Sequence, residues 1–284
     1  MAMHPISRRL DLPDGTSLLA RPAELQALAH REGVVLLRGV VDPEAAQAVG
    51  RRFTELATEV GWLDQGRGRH GVHEDSNDPA WKRWYLGVQR ERAFHALPHQ
   101  PRLLAAMGAI LGGEVLVHPR NIARCVGPGT ATVTTPPHQD QWYIGGTAGI
   151  WTAWLPLVDC PLERGGLAVL PRSHRRGVVA NVAAQGAGGR GAADDLGGDW
   201  AWEPMRAGDA LVFHGLTIHQ GCDNRSNDLR LSADLRYQRV DEPVRADSLR
   251  PHYELMPWEE LYRDWPLNDP LREYWQRQAL TVIA

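Results

Sequence analysis

The segment TTPPHQDQWYIGG, residues 134–146, sets His138 and Asp140 two positions apart. In an extended strand such residues project from one face. Imidazole and carboxylate can then converge while Gln139 points away. That donor pair suits Fe(II), Zn(II) or Mn(II). The plain alternative is a surface histidine beside a turn aspartate. A third donor decides between them, and DALVFHGLTIHQG, residues 209–221, offers two candidates, His214 and His219. Two histidines, one carboxylate and open positions describe the oxygen-activating non-haem iron pattern. Eleven residues after His219 stands Arg230, in the alternating run LRLSADLRY. A buried strand arginine needs an anion, and guanidinium holds carboxylates bidentately. Beside an iron site, a small dicarboxylate co-substrate fits that need; the competing role for Arg230 is a surface ion pair. His118 and His174 read as hydrogen-bonded structural histidines.

The elements that must position these groups fall into two textures. Residues 21–33, 42–61 and 100–113 have helical spacing, with an aspartate cap and proline start at 42–43 and glycine stops. The run VVLLRGVV, residues 34–41, reads as a strand. After Gly113, short β-rich runs alternate with turn signals, which points to a sandwich or barrel. Residues 163–166 and 206–210 read as hairpin turns. The Gly/Ala-rich stretch 183–200 reads as a mobile lid, and 75–81 as a second loop. Residues 257–278 read as short helices broken at Pro266 and Pro270.

Composition narrows the function classes. Of 284 residues, 31 are Lys or Arg and 34 Asp or Glu, so no basic field is available for nucleic acid. No apolar run approaches the roughly 18 residues of a membrane span, and the first fifteen residues lack a signal-peptide core. Three scattered cysteines without a CxxC fit a reducing cytoplasm. Eleven tryptophans are expected in core and rim packing, with a minority lining a ligand cavity.

From about Gly113 to Gln238 the chain resembles the phytanoyl-CoA dioxygenase-like family of Fe(II)/2-oxoglutarate oxygenases. The motifs are HQD, then WTAWLPLVDCPLERGGLAVLPRSH at 151–174, then HGLTIHQGCDN and LRLS. Gly165 stands where Asn is usual before glycine, and Arg172 replaces the glycine of a P-G-S-H pattern. The first third resembles the family in texture alone, and the C-terminal segment hardly at all. The resemblance implies a mainly β fold with helical additions: a double-stranded β-helix, the cupin-like jelly roll. Its core would span about 113–240, flanked by helical regions 1–112 and 250–284, in one domain.

It further implies that His138, Asp140 and His219 bind iron, His214 being a shared residue that does not ligate in relatives. Arg230 would clamp the distal carboxylate of 2-oxoglutarate, helped by Ser232. Thr135, Asn121, Thr152 and Trp154 occupy places where relatives contact the co-substrate. Trp142 and Tyr143 would border the substrate, although a core role is their default. The implied activity is that of an Fe(II)/2-oxoglutarate-dependent dioxygenase. It would hydroxylate an unactivated C–H bond of a small molecule, using O2 and releasing succinate and CO2. Halogenating relatives carry a small residue in place of the carboxylate, so Asp140 favours hydroxylation. Desaturation, epoxidation and ring closure stay open, as does a cupin metalloenzyme without 2-oxoglutarate, which would not need Arg230. A binding protein that has lost catalysis would not need the intact ligand set. The substrate expected is a specialised metabolite or amino-acid derivative of medium size, met by a tryptophan-rich rim with arginine and histidine nearby, which would suit an acidic group.

Overall fold

A computed structural model describes residues 9–130, 133–193 and 196–284. The N-terminal helices form where the sequence supplies their ends. Pro22–Glu32 starts on proline and stops at Gly33, whose φ of 71° disfavours any side chain. Pro43–Glu59 is capped by Asp42, whose carboxylate accepts the Glu44 N–H at 3.0 Å. Pro101–Leu111 ends at Gly112. The expected loop at 75–81 holds as far as Asp78. There the chain enters a fourth helix, Pro79–Arg90, capped by Asp78 and burying Trp81, Trp84, Tyr85 and Val88 on one face.

Two sheets follow. The larger runs Val34–Leu37, Ala210–His214, Trp151–Pro156, Arg230–Arg239, and the last strand also pairs Val115–Val117 and Ile122–Val126. The smaller runs Arg9–Leu10, Trp200–Ala201, Leu167–Val169, His219–Gly221. The chain passes repeatedly from one sheet to the other, as a double-stranded β-helix requires. The turns at 163–166 and 206–210 are therefore sheet-to-sheet connections and not hairpins. Local turn chemistry is the same in both cases, so sequence alone does not separate them.

Strand parity divides the molecule. On Arg230–Arg239, Leu231, Ala233, Leu235 and Tyr237 join helix residues such as Phe53 and Met107 in the main apolar core. Arg230, Ser232, Asp234, Arg236 and Gln238 are also buried, on the opposite face, between the sheets. There, Leu36, Trp154, Val169, Leu211 and Phe213 make a second apolar cluster that fills one side of the barrel.

One expectation is revised and another holds. The stretch 183–200 is partly ordered: Asn181–Ala183 pairs antiparallel with Arg190–Ala192. Residues 194–195 of it lie outside the described residues. The C-terminal segment is helical at Trp258–Leu261 and a short 3-10 turn, Tyr274–Arg277. It is held by Trp258, Tyr262, Trp265 and Trp275 packing on Leu116 and Val244. Val282–Ile283 pairs with Val244–Arg245. No described helix is long and apolar enough to cross a membrane.

Gly50, within Pro43–Glu59, lies against backbone: a Cβ there would stand 2.1 Å from the Leu157 carbonyl oxygen. Replacing a helical glycine with alanine ordinarily gains up to about 1 kcal/mol. Here the sign reverses. Gly50→Ala should cost about 1–3 kcal/mol, read as a lower urea midpoint at unchanged slope.

Candidate metal centre and co-substrate cleft

His138, Asp140 and His219 are buried, and one donor atom from each lies within 4.8 Å of the others. Among the described residues no other group of three or more His, Cys, Asp or Glu has such spacing. The two histidines are joined through their backbones. His138 N–H donates to the His219 carbonyl at 2.9 Å, and His219 N–H returns the bond at 3.0 Å. Their rings stand 4.1 Å apart. Each Nδ1 faces a carbonyl, of Pro136 at 2.9 Å and of Thr217 at 3.0 Å. A carbonyl accepts and cannot donate, so both Nδ1 atoms carry the proton and both Nε2 lone pairs are free. Each Nε2 is 3.9 Å from Asp140 Oδ1.

The histidine and aspartate do not share an extended strand as expected. His138 sits in an isolated bridge, and Asp140 is already helical, at φ −60° and ψ −30°, opening the turn Gln141–Ile144. The pair converges all the same. Gln139 points away, donating to the carbonyls of Gly177 and Leu216 and accepting from Val179 N–H. That side chain pins the segment that presents both ligands.

Asp140 is held from the larger sheet. Thr152 Oγ1 donates to Oδ2 at 2.5 Å, and Arg236 donates to Oδ1 at 3.3 Å. Burial alone would raise the carboxyl pKa, but Arg236, the two histidines and the Thr152 hydroxyl hold it below the usual carboxylate range. Burial, with His219 alongside, pushes His138 down to about 3, and burial also lowers His219. Both rings are thus neutral near pH 7. Neutral imidazole and ionised carboxylate are the forms a divalent cation takes.

A narrow cleft leads from the triad to Arg230, bordered by Thr135, Trp154, Phe213 and Gly221. Arg230 is buried and forms no salt bridge among the described residues; its NH1 donates to the carbonyls of Gly165, Gly166 and Cys222 at 2.8, 3.1 and 3.4 Å. Its Nε and the Ser232 hydroxyl are buried without a partner. Desolvation lowers the Arg230 pKa, the mark of a cation lacking its anion. A cation and a hydroxyl, both unspent and two residues apart on one strand face, fit the carboxylate of a bound keto acid. The donor set of two imidazoles and one carboxylate fits Fe(II).

The remaining expected residues divide. Trp154 and Thr135 border the cleft. Thr152 faces inward but bonds the carboxylate ligand, not the cleft. Asn121 faces outward, bonding His95 at 3.3 Å, and borders neither cavity near the triad. The reason is parity: Ile122 and Arg124 face the interior, so Asn121 and Ala123 face the helices. Tyr143 borders the main cavity, with its ring edge on His138 and its hydroxyl on the Gly188 carbonyl. Trp142 instead packs in an outer apolar cluster and bonds the Val179 carbonyl at 3.1 Å. His214 accepts from Leu216 N–H and packs on Trp151, apart from the triad. His174 bonds the His30 carbonyl, and His118 bonds Gln238.

The main cavity, about 320 Å³, opens beside His138 and Asp140. Its rim is not tryptophan-rich. It presents Tyr143, Tyr253, His252 and three arginines, Arg120, Arg124 and Arg236. The tryptophans went to the apolar clusters or pack against them, and Trp154 borders the cleft as well. Arg236 and Gly165 were missed in the sequence. Parity with Arg230 on one alternating strand was the available signal for Arg236. Gly165 stands out only as a departure from the family pattern, which does not announce that its carbonyl faces Arg230.

Comparison with known proteins agrees with this geometry. The phytanoyl-CoA dioxygenase (PhyH) family model matches residues 29–232. A 1-deoxypentalenic acid 11-beta-hydroxylase of Streptomyces exfoliatus is 29% identical over 269 residues, covering 89% of this chain and 92% of the relative. A phytanoyl-CoA dioxygenase domain-containing protein 1 of Mus musculus is 31% identical over 106 residues, covering 33% and 35%. Among solved structures, the epimerase SnoN in complex with Fe3+, alpha ketoglutarate and nogalamycin RO is similar in fold. It has a TM-score of 0.55 and 23% identity, over 79% of this chain and 86% of that one. The carbocyclase SnoK from nogalamycin biosynthesis also scores 0.55, at 20% identity, over 78% and 85%. The chain belongs to the phytanoyl-CoA dioxygenase family of Fe(II)/2-oxoglutarate-dependent oxygenases.

Proposed function

We propose that the protein hydroxylates an unactivated C–H bond of a small specialised metabolite. One observation carries the reading: two imidazoles with fixed free Nε2 atoms and one ionised carboxylate converge beside a buried arginine that lacks an anion. The near full-length relative named as a hydroxylase favours hydroxylation over the other oxidative outcomes. Catalysis would occupy a single domain spanning residues 1–284.

His138, Asp140 and His219 would hold Fe(II), and Arg230 with Ser232 the distal carboxylate of 2-oxoglutarate. When bound, that pair supplies oxygen activation coupled to loss of CO2 and formation of succinate. The chain's own residues do the rest. Thr152 and Arg236 keep Asp140 ionised and oriented. Trp154 and Phe213 wall the cleft and keep water from it. Tyr143, bonded to Gly188, and Ala187 close one side of the cavity. The substrate's C–H bond is selected by where this wall places it beside His138 and Asp140.

Incubation with Fe(II), 2-oxoglutarate and a metabolite library should release succinate and yield a product heavier by one oxygen. Succinate without an oxygenated product would point to desaturation or ring closure. Arg230→Ala should weaken 2-oxoglutarate binding at least about thirtyfold with Mn(II) affinity unchanged, both by calorimetry. Thr152→Val should lower metal affinity about tenfold to a hundredfold with the fold intact, read by Mn(II) titration and circular dichroism.

A further inference from the structure

The main cavity holds three arginines, and their charges are not equally met. Arg124 pairs with Glu74 and, at 2.8 Å, with Asp234. Arg236 donates to Asp140. Arg120 forms no salt bridge among the described residues. Its Nε donates to the Arg250 carbonyl at 3.2 Å, which orients the guanidinium, and among the described residues no acceptor meets its terminal nitrogens. The carboxylates that act on it from farther off are Asp247 and Glu254. Both are already engaged, Asp247 with Arg245 and Arg250, and Glu254 with Arg250. Desolvation pulls the Arg120 pKa down despite the opposing pull of Asp247 and Glu254, so the cation is partly out of water and only partly compensated.

The surroundings are built to receive a polar group. Ser248 and His252 border the same cavity. His252 is half-buried, bonded to the Tyr85 hydroxyl at 2.6 Å, and desolvation holds its ring neutral. On this wall Tyr253 and Glu254 both take left-handed backbone, at φ 61° and 48°, and the Tyr253 hydroxyl donates to Glu74. Arg120 does not border the cleft that holds Arg230, and Arg230 does not border the main cavity. Arg120 thus borders the cavity alone and Arg230 the cleft alone, the two spaces meeting at Arg124, Thr135, His138 and Asp140.

We infer that Arg120 recognises a carboxylate on the substrate, so the substrate class is a small organic acid taken as the free anion. This rests on the oxygenase reading for the metal centre but adds a separate site. A cavity of about 320 Å³ lies at the small end for organic ligands. A thioester of the same acyl group would present a neutral carbonyl and leave Arg120 unpaired, as would an ester or amide.

The test uses the protein loaded with Mn(II) and 2-oxoglutarate, which binds without turnover. Alicyclic monocarboxylic acids of about ten to fifteen carbons, starting with 1-adamantanecarboxylic acid, are titrated beside their methyl esters. At least one acid should bind about tenfold or more tighter than its ester. Arg120→Gln should abolish that preference, Arg120→Lys should keep part of it, and neither should change 2-oxoglutarate affinity. The inference is overturned if no acid outbinds its ester, or if the preference survives in Arg120→Gln. Failure of 2-oxoglutarate to bind would instead count against the co-substrate reading. The acid–ester comparison, repeated with Mn(II) alone, would still judge Arg120.

Discussion

The reciprocal N–H···O pair between His138 and His219 is the constraint on which the rest of the structure depends. It brings two residues far apart in the chain into register, so that both rings leave the backbone on one side. The carbonyls of Pro136 and Thr217 then settle which ring nitrogen is bare. Asp140 completes the set from the first turn of a short helix. Its two oxygens are gripped by Thr152 and Arg236, which belong to the opposite sheet. The candidate centre is thus a seam: ligands come from the smaller sheet's side and orientation from the larger. A change at Thr152 or Arg236 acts on the metal without touching it.

Charge between the sheets is handled in three ways. Arg124 is neutralised by two acids, and Arg236 is spent on a ligand. Arg230 and Arg120 form no salt bridge among the described residues. A buried unmatched cation is costly, and the fold offsets that cost at Arg230 with three backbone carbonyls; half-buried Arg120 is held by one. Each carbonyl fixes geometry without cancelling charge. The site is therefore oriented in advance and still attractive to an anion.

Much of this was legible because it is local or periodic. Proline starts and glycine stops bounded the helices Pro22–Glu32 and Pro101–Leu111 to within a residue or so. Alternation on Arg230–Arg239 placed Arg230 and Ser232 on one face. The HxD spacing found the right residues through a strand geometry that is not there. What stayed hidden depends on long-range pairing. The turn at 163–166 reads as a hairpin until the sheet of its second strand is known. Asn121, placed at the co-substrate by resemblance, faces the helices instead, since one residue of offset reverses a strand's faces. The cavity wall at 248–253 comes from a segment whose sequence resembles the family least, so neither motif nor pattern could announce it.

The partition of the long strand has an evolutionary corollary. Its apolar residues face the helices, and most of the molecule's oily contact lies outside the barrel. The lumen residues Arg120, Tyr143, His252 and Tyr253 contribute little to that adhesive layer. Selection can therefore repaint the lumen for a new metabolite while the scaffold keeps its cohesion, with metal ligation and substrate choice drifting independently.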